Sequence, residues 1–355
     1  MPTPQSIDPA LLFDADAPTS NRVIVDVRSP SEFSQGHIPG SINIALFDDD
    51  ERAAVGTLYK QRSREAAIEK GLEFIGPRLA ELVRSFKAAA SSKELLIYCW
   101  RGGMRSESVA WLLELAGLDV VRLQGGYKGY RKFIRCSFSK PARMLILGGH
   151  TGSGKTALIL AVAELGLQVI DLEGLANHKG SAFGHIDEQP QVSSEQFEND
   201  LAKVWLGFDH TQTILIENES RMIGTIHLPE PFWLQMRTAP LLSVDCPREA
   251  RVARLVEDYG TSRKEDLLGA VSRVEKKFDT AQLADIYDNI RQGELAPACH
   301  ILLQYYDRCY QNGIDRRELS AHHHIAINGF DLAADSRKLL DFIRGLEPLP
   351  SVDKL

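Results

Sequence analysis

The sequence predicts an α/β protein of two successive domains, each built on a parallel sheet. Short apolar runs alternate with helical segments along the chain, which is the pattern of such sheets. A strand–turn–helix pattern also restarts after a break near residues 138–141. We therefore expect a first domain over residues 1–138 and a second over residues 139–355 that ends in a helical region. A chain of 355 residues is long enough for two hydrophobic cores.

Composition indicates an ordinary globular protein, with 44% hydrophobic and 25% charged residues. No apolar run approaches the ~20 residues of a membrane span, and residues 1–5 lack the features of a signal peptide. The five cysteines are scattered without a Cys-x-x-Cys pair, which argues against a disulfide framework. We expect a cytoplasmic protein without membrane contact. Its net charge of −7 means that RNA binding would require a local basic patch.

The first strand of the first domain is predicted over Val23–Arg28, where Ser29-Pro30 stops it. Asp26 and Arg28 lie at the end of this strand. We expect them to form an ion pair that holds a loop in place.

Cys99 is the candidate reactive thiol of the first domain. It follows the buried strand predicted over Leu95–Tyr98 and precedes a helix predicted over Glu107–Gly117. In a short loop with two glycines, backbone N–H groups and the helix dipole favour an anion and lower the pKa of a cysteine. Arg101 and Arg105 add positive charge. A buried structural cysteine is the alternative, but this arrangement favours a reactive thiol.

An insertion with an acidic start occupies residues 47–61. An EF-hand alignment puts Ala53 where the turn glycine belongs and Tyr59 where the bidentate glutamate belongs, so calcium is rejected. A helix is predicted over residues 62–71, with Gly71 near its end.

The second domain opens with the strongest motif of the chain. Residues 149–156 match G-x-x-x-x-G-K-[ST], between a strand predicted over Arg143–Leu147 and a helix predicted over Ala157–Leu165. This motif is a phosphate-binding P-loop: its glycines let backbone N–H groups surround a phosphate, its lysine reaches the outer phosphates, and its hydroxyl suits Mg²⁺. The residues expected at the phosphate are Gly149, Gly152, Gly154, Lys155 and Thr156.

Later strands indicate a doubly wound sheet. They are predicted over Gln168–Asp171, Thr213–Glu217, Leu241–Asp245 and His324–Asn328. Asp171 and Glu217 stand at strand ends, where each is either a metal- or water-binding acid or a cap of the next loop. We expect Glu217 and Arg221 to bind the phosphate ligand, and Thr156 with Asp171 to bind Mg²⁺.

Three further polar regions have simpler interpretations. The basic run Arg248–Lys277 is predicted to be a solvated helix face, with a phosphate-contacting patch as the alternative. The tract His322–His324 lacks a second set of metal ligands and is predicted to lie at the surface. The tail Glu347–Leu355 is polar.

Three motifs in order resemble the rhodanese domain, a parallel α/β domain. The stretch Asp26–Asn43 is similar to its first motif, and Leu123–Tyr127 is similar to its closing Gly-Gly motif. The loop at Cys99 resembles its active-site loop, in which cysteine carries a persulfide or the selenium equivalent.

A rhodanese domain followed by a P-loop domain resembles the family of tRNA 2-selenouridine synthases, over about residues 20–312. The segments Asp50–Thr57, Asp171–Ala176, Gly180–Gly184 and Glu219–Gly224 share this likeness. The resemblance implies that selenium from selenophosphate replaces the sulfur of wobble 2-thiouridine in tRNA, through an S-geranyl intermediate made from geranyl diphosphate. It implies tRNA and a selenophosphate-supplying enzyme as partners, with no tightly bound cofactor certain.

The resemblance also implies roles for single residues. Cys99 would act in the selenation half, holding a perselenide or assisting delivery of selenium. The P-loop with Lys155 and Thr156 would bind the diphosphate, with Mg²⁺, although a nucleotide or an RNA phosphate would satisfy the same loop. Gly71 falls in a segment associated with the geranyl step, and a backbone role, through close approach or a positive φ, explains this glycine equally well.

Two readings from other classes remain open. The chain could be a sulfurtransferase that passes a persulfide from Cys99 to a protein and is regulated by the P-loop domain through bound ATP. It could also be a small-molecule kinase with an idle rhodanese module, although the intact Cys99 loop counts against that reading.

Overall fold

The computed structural model describes residues 5–14, 22–317 and 319–346. The polar tail predicted over residues 347–355 lies outside the described residues. The described chain forms two compact units. The first extends to residue 137 and includes residues 198–207 from later in the sequence, and the second holds residues 138–197 and the chain from residue 208 onward.

The first unit is built on a five-stranded sheet, with strands β1 (Ser6–Ile7), β2 (Arg22–Asp26), β3 (Ile42–Asn43), β4 (Glu94–Tyr98) and β5 (Val120–Leu123). All pairs are parallel, and the spatial order is β1-β5-β4-β2-β3. The central strand β4 is buried because Leu95, Leu96 and Ile97 are apolar on both faces, as expected of a parallel sheet covered by helices.

In the described part of the chain up to residue 137, the helices are α1 (Pro30–Gln35), α2 (Asp49–Gln61), α3 (Arg64–Ile75), α4 (Leu79–Ala90), α5 (Met104–Leu115) and α6 (Gly126–Ser137). The acidic insertion begins α2. Asp48 accepts a hydrogen bond from the Glu51 backbone N–H at 2.8 Å, and Glu51 accepts one from that of Asp48 at 3.0 Å. This reciprocal capping box explains the acidic run without calcium.

Helix α3 does not end near Gly71 as predicted. It continues to Ile75 because Phe74 and Ile75 extend the apolar face that packs into the core of the first unit. The glycine is therefore an interior helical residue.

The second unit is built on a second parallel sheet, with strands β6 (Arg143–Gly149), β7 (Gln168–Ile170), β8 (Thr213–Glu217), β11 (Leu241–Asp245) and β12 (His322–Ala326) in the order β12-β11-β6-β8-β7. Between β8 and β11 in sequence, β9 (Met222–Ile223) and β10 (Ile226–His227) form a separate antiparallel pair. These sheets confirm the predicted α/β fold class.

The helices after β6 are α7 (Lys155–Glu164), α8 (Leu172–Ala176), α9 (Ser194–Leu206), α10 (Glu230–Thr238), α11 (Arg248–Tyr259), α12 (Lys264–Ser272), α13 (Thr280–Gln292), α14 (Leu295–Asp315) and α15 (Leu332–Gly345). Helices α12, α13 and α14 share an apolar core of their own, which includes Leu267, Ile286 and Leu302. This cluster is the predicted helical C-terminal region. Within the described ranges, no helix is long and apolar enough to cross a membrane.

Candidate functional site

Cys99 directly follows strand β4 and opens a loop, Cys99–Gly103, that leads into α5. We call this segment the thiol loop. The Cys99 side chain is 3% exposed, and its Sγ lies 3.2 Å from Ser106 Oγ in the first turn of α5. The Ser106 hydroxyl donates to the Gly103 carbonyl at 3.0 Å. The predicted strand–loop–helix setting is confirmed, and it places the sulfur beside a helix N-terminus, where unpaired backbone N–H groups favour an anion.

The segment that begins with the Gly-Gly motif after β5 supports the thiol loop through backbone hydrogen bonds. The backbone N–H of Tyr127 donates to the Cys99 carbonyl at 2.9 Å, and that of Lys128 donates to the Trp100 carbonyl at 2.9 Å. Gly126 has φ +58°, and a Cβ there would overlap the Cys99 carbonyl oxygen. Only glycine allows these two segments to approach so closely.

The two arginines of the predicted cradle have different environments. Arg101 is exposed and forms no hydrogen bond or ion pair with any residue that the structure describes. Arg105 instead makes a bidentate pair with Glu32 of α1, at 2.6 and 3.2 Å. Burial acts to raise the pKa of Glu32, but the hydrogen bonds and charge of Arg105 outweigh it and lower this pKa. Arg105 is therefore largely neutralised, contrary to prediction, because a carboxylate from α1 reaches it.

Asp26 and Arg28 form the predicted ion pair, at 2.6 Å and fully buried. The Arg28 guanidinium also donates to the Gly36 carbonyl at 2.6 Å and lies 3.9 Å from the centre of the Tyr127 ring. The pair therefore joins the end of β2 to the segment that supports the thiol loop.

Gly71 lies buried in α3, with no positive φ. A Cβ at this position would come within 3.2 Å of the Phe47 ring. Close approach therefore explains the glycine structurally, and a positive φ does not.

The P-loop connects β6 to α7 as predicted. Gly152 and Gly154 adopt φ of +79° and +81°, which L-residues rarely adopt, and a Cβ at Gly149 would lie 2.6 Å from Ser153 Oγ. Lys155 folds over the loop, where its Nζ donates to the Gly149 carbonyl at 3.1 Å. The phosphate cradle of the motif is thus fully formed.

Three glutamates cluster at the end of the P-loop, and we call Glu173, Glu217 and Glu219 the carboxylate cluster. The Thr156 hydroxyl lies 2.8 Å from Glu217 Oε1 and 3.1 Å from Glu173 Oε2. Burial, reinforced by the charge of Glu173, raises the pKa of Glu217 to about 8. Burial and the charge of Glu219 likewise raise the pKa of Glu173 to about 8. Such a cluster is stabilised by a cation or by a shared proton.

The carboxylate cluster fits Mg²⁺ in a different way from the prediction. Asp171 is the N-cap of α8, where its Oδ1 accepts from the Gly174 N–H at 2.8 Å. Its carboxylate is therefore used in the cap, and Glu173, two residues later, reaches Thr156 instead. Mg²⁺ takes one or two carboxylates together with phosphates and waters, so Thr156, Glu217 and Glu173 would hold it. Among the residues that the structure describes, no group of three or more His, Cys, Asp or Glu side chains is arranged to hold a metal ion by itself.

Arg221 lies outside this arrangement. It pairs with Glu230 at 3.3 Å and its guanidinium stands 5.5 Å from the centre of the Trp233 ring. The predicted phosphate contact by Arg221 is not supported by these contacts, because both partners lie on α10, the next helix.

Besides Lys155, two arginines of α11 contact the P-loop. Arg251 is 5% exposed and its Nε donates to the Thr151 carbonyl at 2.8 Å, while Asp307 of α14 pairs with its guanidinium. Arg254 donates to the Gly152 carbonyl at 3.0 Å and lies against Gly154. The predicted solvated helix face is therefore wrong for these two residues. Their spacing of three along a helix is the signal that could have placed them together.

The histidine tract lies on β12 at the sheet edge, as predicted for surface residues. His322 Nε2 is 2.8 Å from Ser243 Oγ, and His324 is paired with Asp245 at 3.2 Å. His322 and His324 thus contact side chains of β11, while the His323 ring packs edge-on against Phe342 of α15.

The fold and the two sites define a class of protein: a rhodanese-like domain with a thiol loop, joined to a P-loop domain. The family model of the rhodanese-like domain matches residues 12–133, and that described as the tRNA 2-selenouridine synthase AAA domain matches residues 142–293.

Relatives named tRNA 2-selenouridine synthase cover both parts of the chain. The protein of Nitrosomonas europaea is 38% identical over 71% of this chain and 66% of its own length. That of Serratia proteamaculans is 40% identical over 66% of this chain and 64% of its own. That of Bdellovibrio bacteriovorus is 34% identical over 84% of this chain and 91% of its own. The match thus spans slightly less than two thirds of the first two relatives and most of the third. The chain belongs to the tRNA 2-selenouridine synthase family.

Proposed function

We propose that this protein converts wobble 2-thiouridine of tRNA to 2-selenouridine with selenophosphate, through an S-geranyl-2-thiouridine intermediate made from geranyl diphosphate. The observation that carries the proposal is the presence of two formed anion sites in one chain of this family. One site has a thiol at its base and the other has the lysine and hydroxyl of a P-loop.

In the geranyl half, the P-loop binds the diphosphate of geranyl diphosphate. The thiouridine sulfur attacks C1 of the geranyl group, the C1–O bond breaks with its electron pair leaving on pyrophosphate, and the N3 proton of the base is lost. Lys155 and the backbone N–H groups stabilise the charge that grows on the departing diphosphate. Mg²⁺ bound by Thr156, Glu217 and Glu173 would add further positive charge there.

In the selenation half, geranylation has turned a poor leaving group into a good one, an alkyl thiol. Selenium adds to C2 of the base, the C2–S bond breaks, and geranylthiol leaves after taking a proton. Water then attacks phosphorus, the P–Se bond breaks with its electron pair remaining on selenium, and phosphate leaves. The exposed guanidinium of Arg101 and the N-terminus of α5 would hold the selenophosphate anion beside Cys99.

Electron balance favours one of the two roles for Cys99. Selenophosphate already carries selenium as the selenide that the substitution needs. A perselenide on Cys99 would require an oxidant for loading and a reductant for release. We therefore assign Cys99 to delivery of selenium within the thiol loop, where Ser106 holds the sulfur in place.

The same proposal includes partners and compartment. The substrates are tRNA and the product of a selenophosphate-supplying enzyme, and the cytoplasm is where both are made. The five cysteines, which form no disulfide in the structure, support a reducing compartment.

The test is mass spectrometry of the wobble nucleoside after incubation of thiolated tRNA with the protein, selenophosphate and geranyl diphosphate. We expect 2-selenouridine from the wild type, accumulated S-geranyl-2-thiouridine from Cys99→Ala, and unchanged 2-thiouridine from Lys155→Ala. Cys136→Ala, an exposed cysteine of α6, is the matched control and should behave as wild type.

Unchanged 2-thiouridine from the wild type would contradict the proposal. Transfer of sulfur from Cys99 to a protein acceptor, without any change in tRNA, would favour the sulfurtransferase instead.

A further inference from the structure

The second unit contains an apolar pocket that the reaction scheme above does not use. It encloses about 560 Å³ of empty space, its open mouth included, and nearly all of its lining is apolar. Its walls come mainly from α11, α14 and the loop after α8, with further residues from α12, α13 and the P-loop. The main wall residues are Phe183, Leu255, Tyr259, Cys299, Leu302 and Tyr306.

The pocket adjoins the P-loop directly. Thr151, within the phosphate-binding motif, is itself a wall residue, and its carbonyl is held by Arg251 at 2.8 Å. A Cβ at Gly152 would lie 3.1 Å from Leu255, so this wall residue touches the loop backbone. A ligand with its phosphates in the P-loop would therefore have the pocket within reach.

The wall chemistry selects against a nucleotide and for a hydrocarbon. Burial raises the pKa of the Cys299 thiol to about 11 and raises the pKa values of the Tyr259 and Tyr306 phenols, so these groups are neutral. A base and ribose require several hydrogen-bonding partners, and a largely apolar wall leaves such groups unpaired at a cost. An apolar chain gains from burial in the same space.

We propose that this pocket binds the apolar chain of an isoprenoid diphosphate whose phosphates occupy the P-loop. This inference rests on the proposed function and specifies it further: the second unit recognises its co-substrate by chain as well as by head group. The loop over Gly180–Gly184, which carries Phe183, then serves as part of the chain-binding wall.

Chain length is the direct readout. Each buried methylene adds about fourfold to affinity, so geranyl diphosphate should bind the full-length protein at least about tenfold tighter than dimethylallyl diphosphate. Inorganic pyrophosphate should be weaker than both. Calorimetric titration in the presence of Mg²⁺ measures all three without requiring turnover.

Cys299→Trp fills the pocket with an indole and should remove the preference for the longer chain while leaving pyrophosphate affinity unchanged. Cys309→Trp is the matched control, because Cys309 lies on the same helix, is exposed and is not a wall residue. If Cys299→Trp does not fold, Cys299→Asp places a charge in the pocket with little added volume and should have the same effect.

Two results would overturn the inference. One is a wild type that binds the three ligands equally, and the other is a folded Cys299 variant that keeps the wild-type chain preference. Either result alongside S-geranyl-2-thiouridine formation by the wild type would leave the proposed function standing. Failure of the wild type to form that nucleoside would instead sink the proposed function itself.

Discussion

Neighbouring residues of like charge have different roles in this protein because their partners differ. Arg101 faces solvent while Arg105, at the start of α5, is bound by Glu32. Asp171 caps a helix while Glu173, two residues later, reaches Thr156. The role of Arg105 depends on a carboxylate that is distant in sequence, and the role of Asp171 depends on its place as the N-cap of α8.

The Glu32–Arg105 pair gives a prediction at this scale. An unperturbed glutamate has a pKa of about 4.3. The folded protein holds the pKa of Glu32 below this usual value. The pair therefore contributes stability above that usual value, and the contribution is lost as the pH falls through the lowered folded pKa. Glu32→Gln should reduce the free energy of unfolding by about 1–3 kcal/mol at pH 7, and this deficit should shrink in acid.

Urea unfolding of wild type and Glu32→Gln between pH 7 and pH 3 measures this difference. Glu73→Gln is the control, because the Glu73–Lys70 pair is exposed and should contribute little at any pH. A Glu32→Gln deficit that is unchanged at the acid end would show that the pair is not its cause.

At the scale of elements, glycine turns position the functional segments. The start of α6 supports the thiol loop through two backbone hydrogen bonds, and this packing is possible because Gly126 lacks a side chain. Helix α11 supports the P-loop through Arg251 and Arg254. In each unit, one helix end or helix face therefore holds an anion-binding loop that belongs to another element.

Gly126→Ala should consequently destabilise the first unit by more than about 2 kcal/mol, since it adds a steric overlap to the cost of a left-handed residue, about 1–2 kcal/mol. Gly117→Ala measures the cost of the left-handed backbone alone, because Gly117 has φ +79° but open space around its Cβ position. Urea midpoints for the two variants test this difference. Equal losses would mean that close packing under the thiol loop is not the constraint.

At the scale of the whole molecule, sequence order and structural unit do not coincide. Residues Glu198–Gly207 follow the P-loop in sequence but belong to the first unit. There Asn199 donates to the Tyr127 hydroxyl oxygen at 2.7 Å and to the His37 carbonyl at 2.8 Å. Trp205 is fully buried, and its Nε1 donates to the Ser137 carbonyl at 3.0 Å.

Trp205→Ala should therefore destabilise the first unit, by about 3–5 kcal/mol for a buried tryptophan. Trp111→Ala, which removes a half-exposed tryptophan of α5, should cost far less. Hydrogen exchange resolved by peptide should show lost protection in β4 and β5 for Trp205→Ala. Unchanged protection there would contradict the assignment of this helix segment to the first unit.

Features that depend on neighbours along the chain could be predicted from the amino-acid sequence. The P-loop, the strand–loop–helix setting of Cys99 and the parallel α/β class follow from glycine spacing and from apolar runs, because local backbone conformation needs those residues in that order. The Asp26–Arg28 pair could be predicted for the same reason, since two residues that are two positions apart are close in any fold.

The long-range partners of the charged side chains could not be predicted in this way, because folding brings them together. In the fold, Glu173 and not Asp171 contacts Thr156, and Arg221 pairs with Glu230. Arg251 and Arg254 contact the P-loop, and distant helices line the apolar pocket. Carboxylates and cations act through the groups that the fold places opposite them, and a pocket wall is assembled from distant helices. No spacing along the chain encodes those distances.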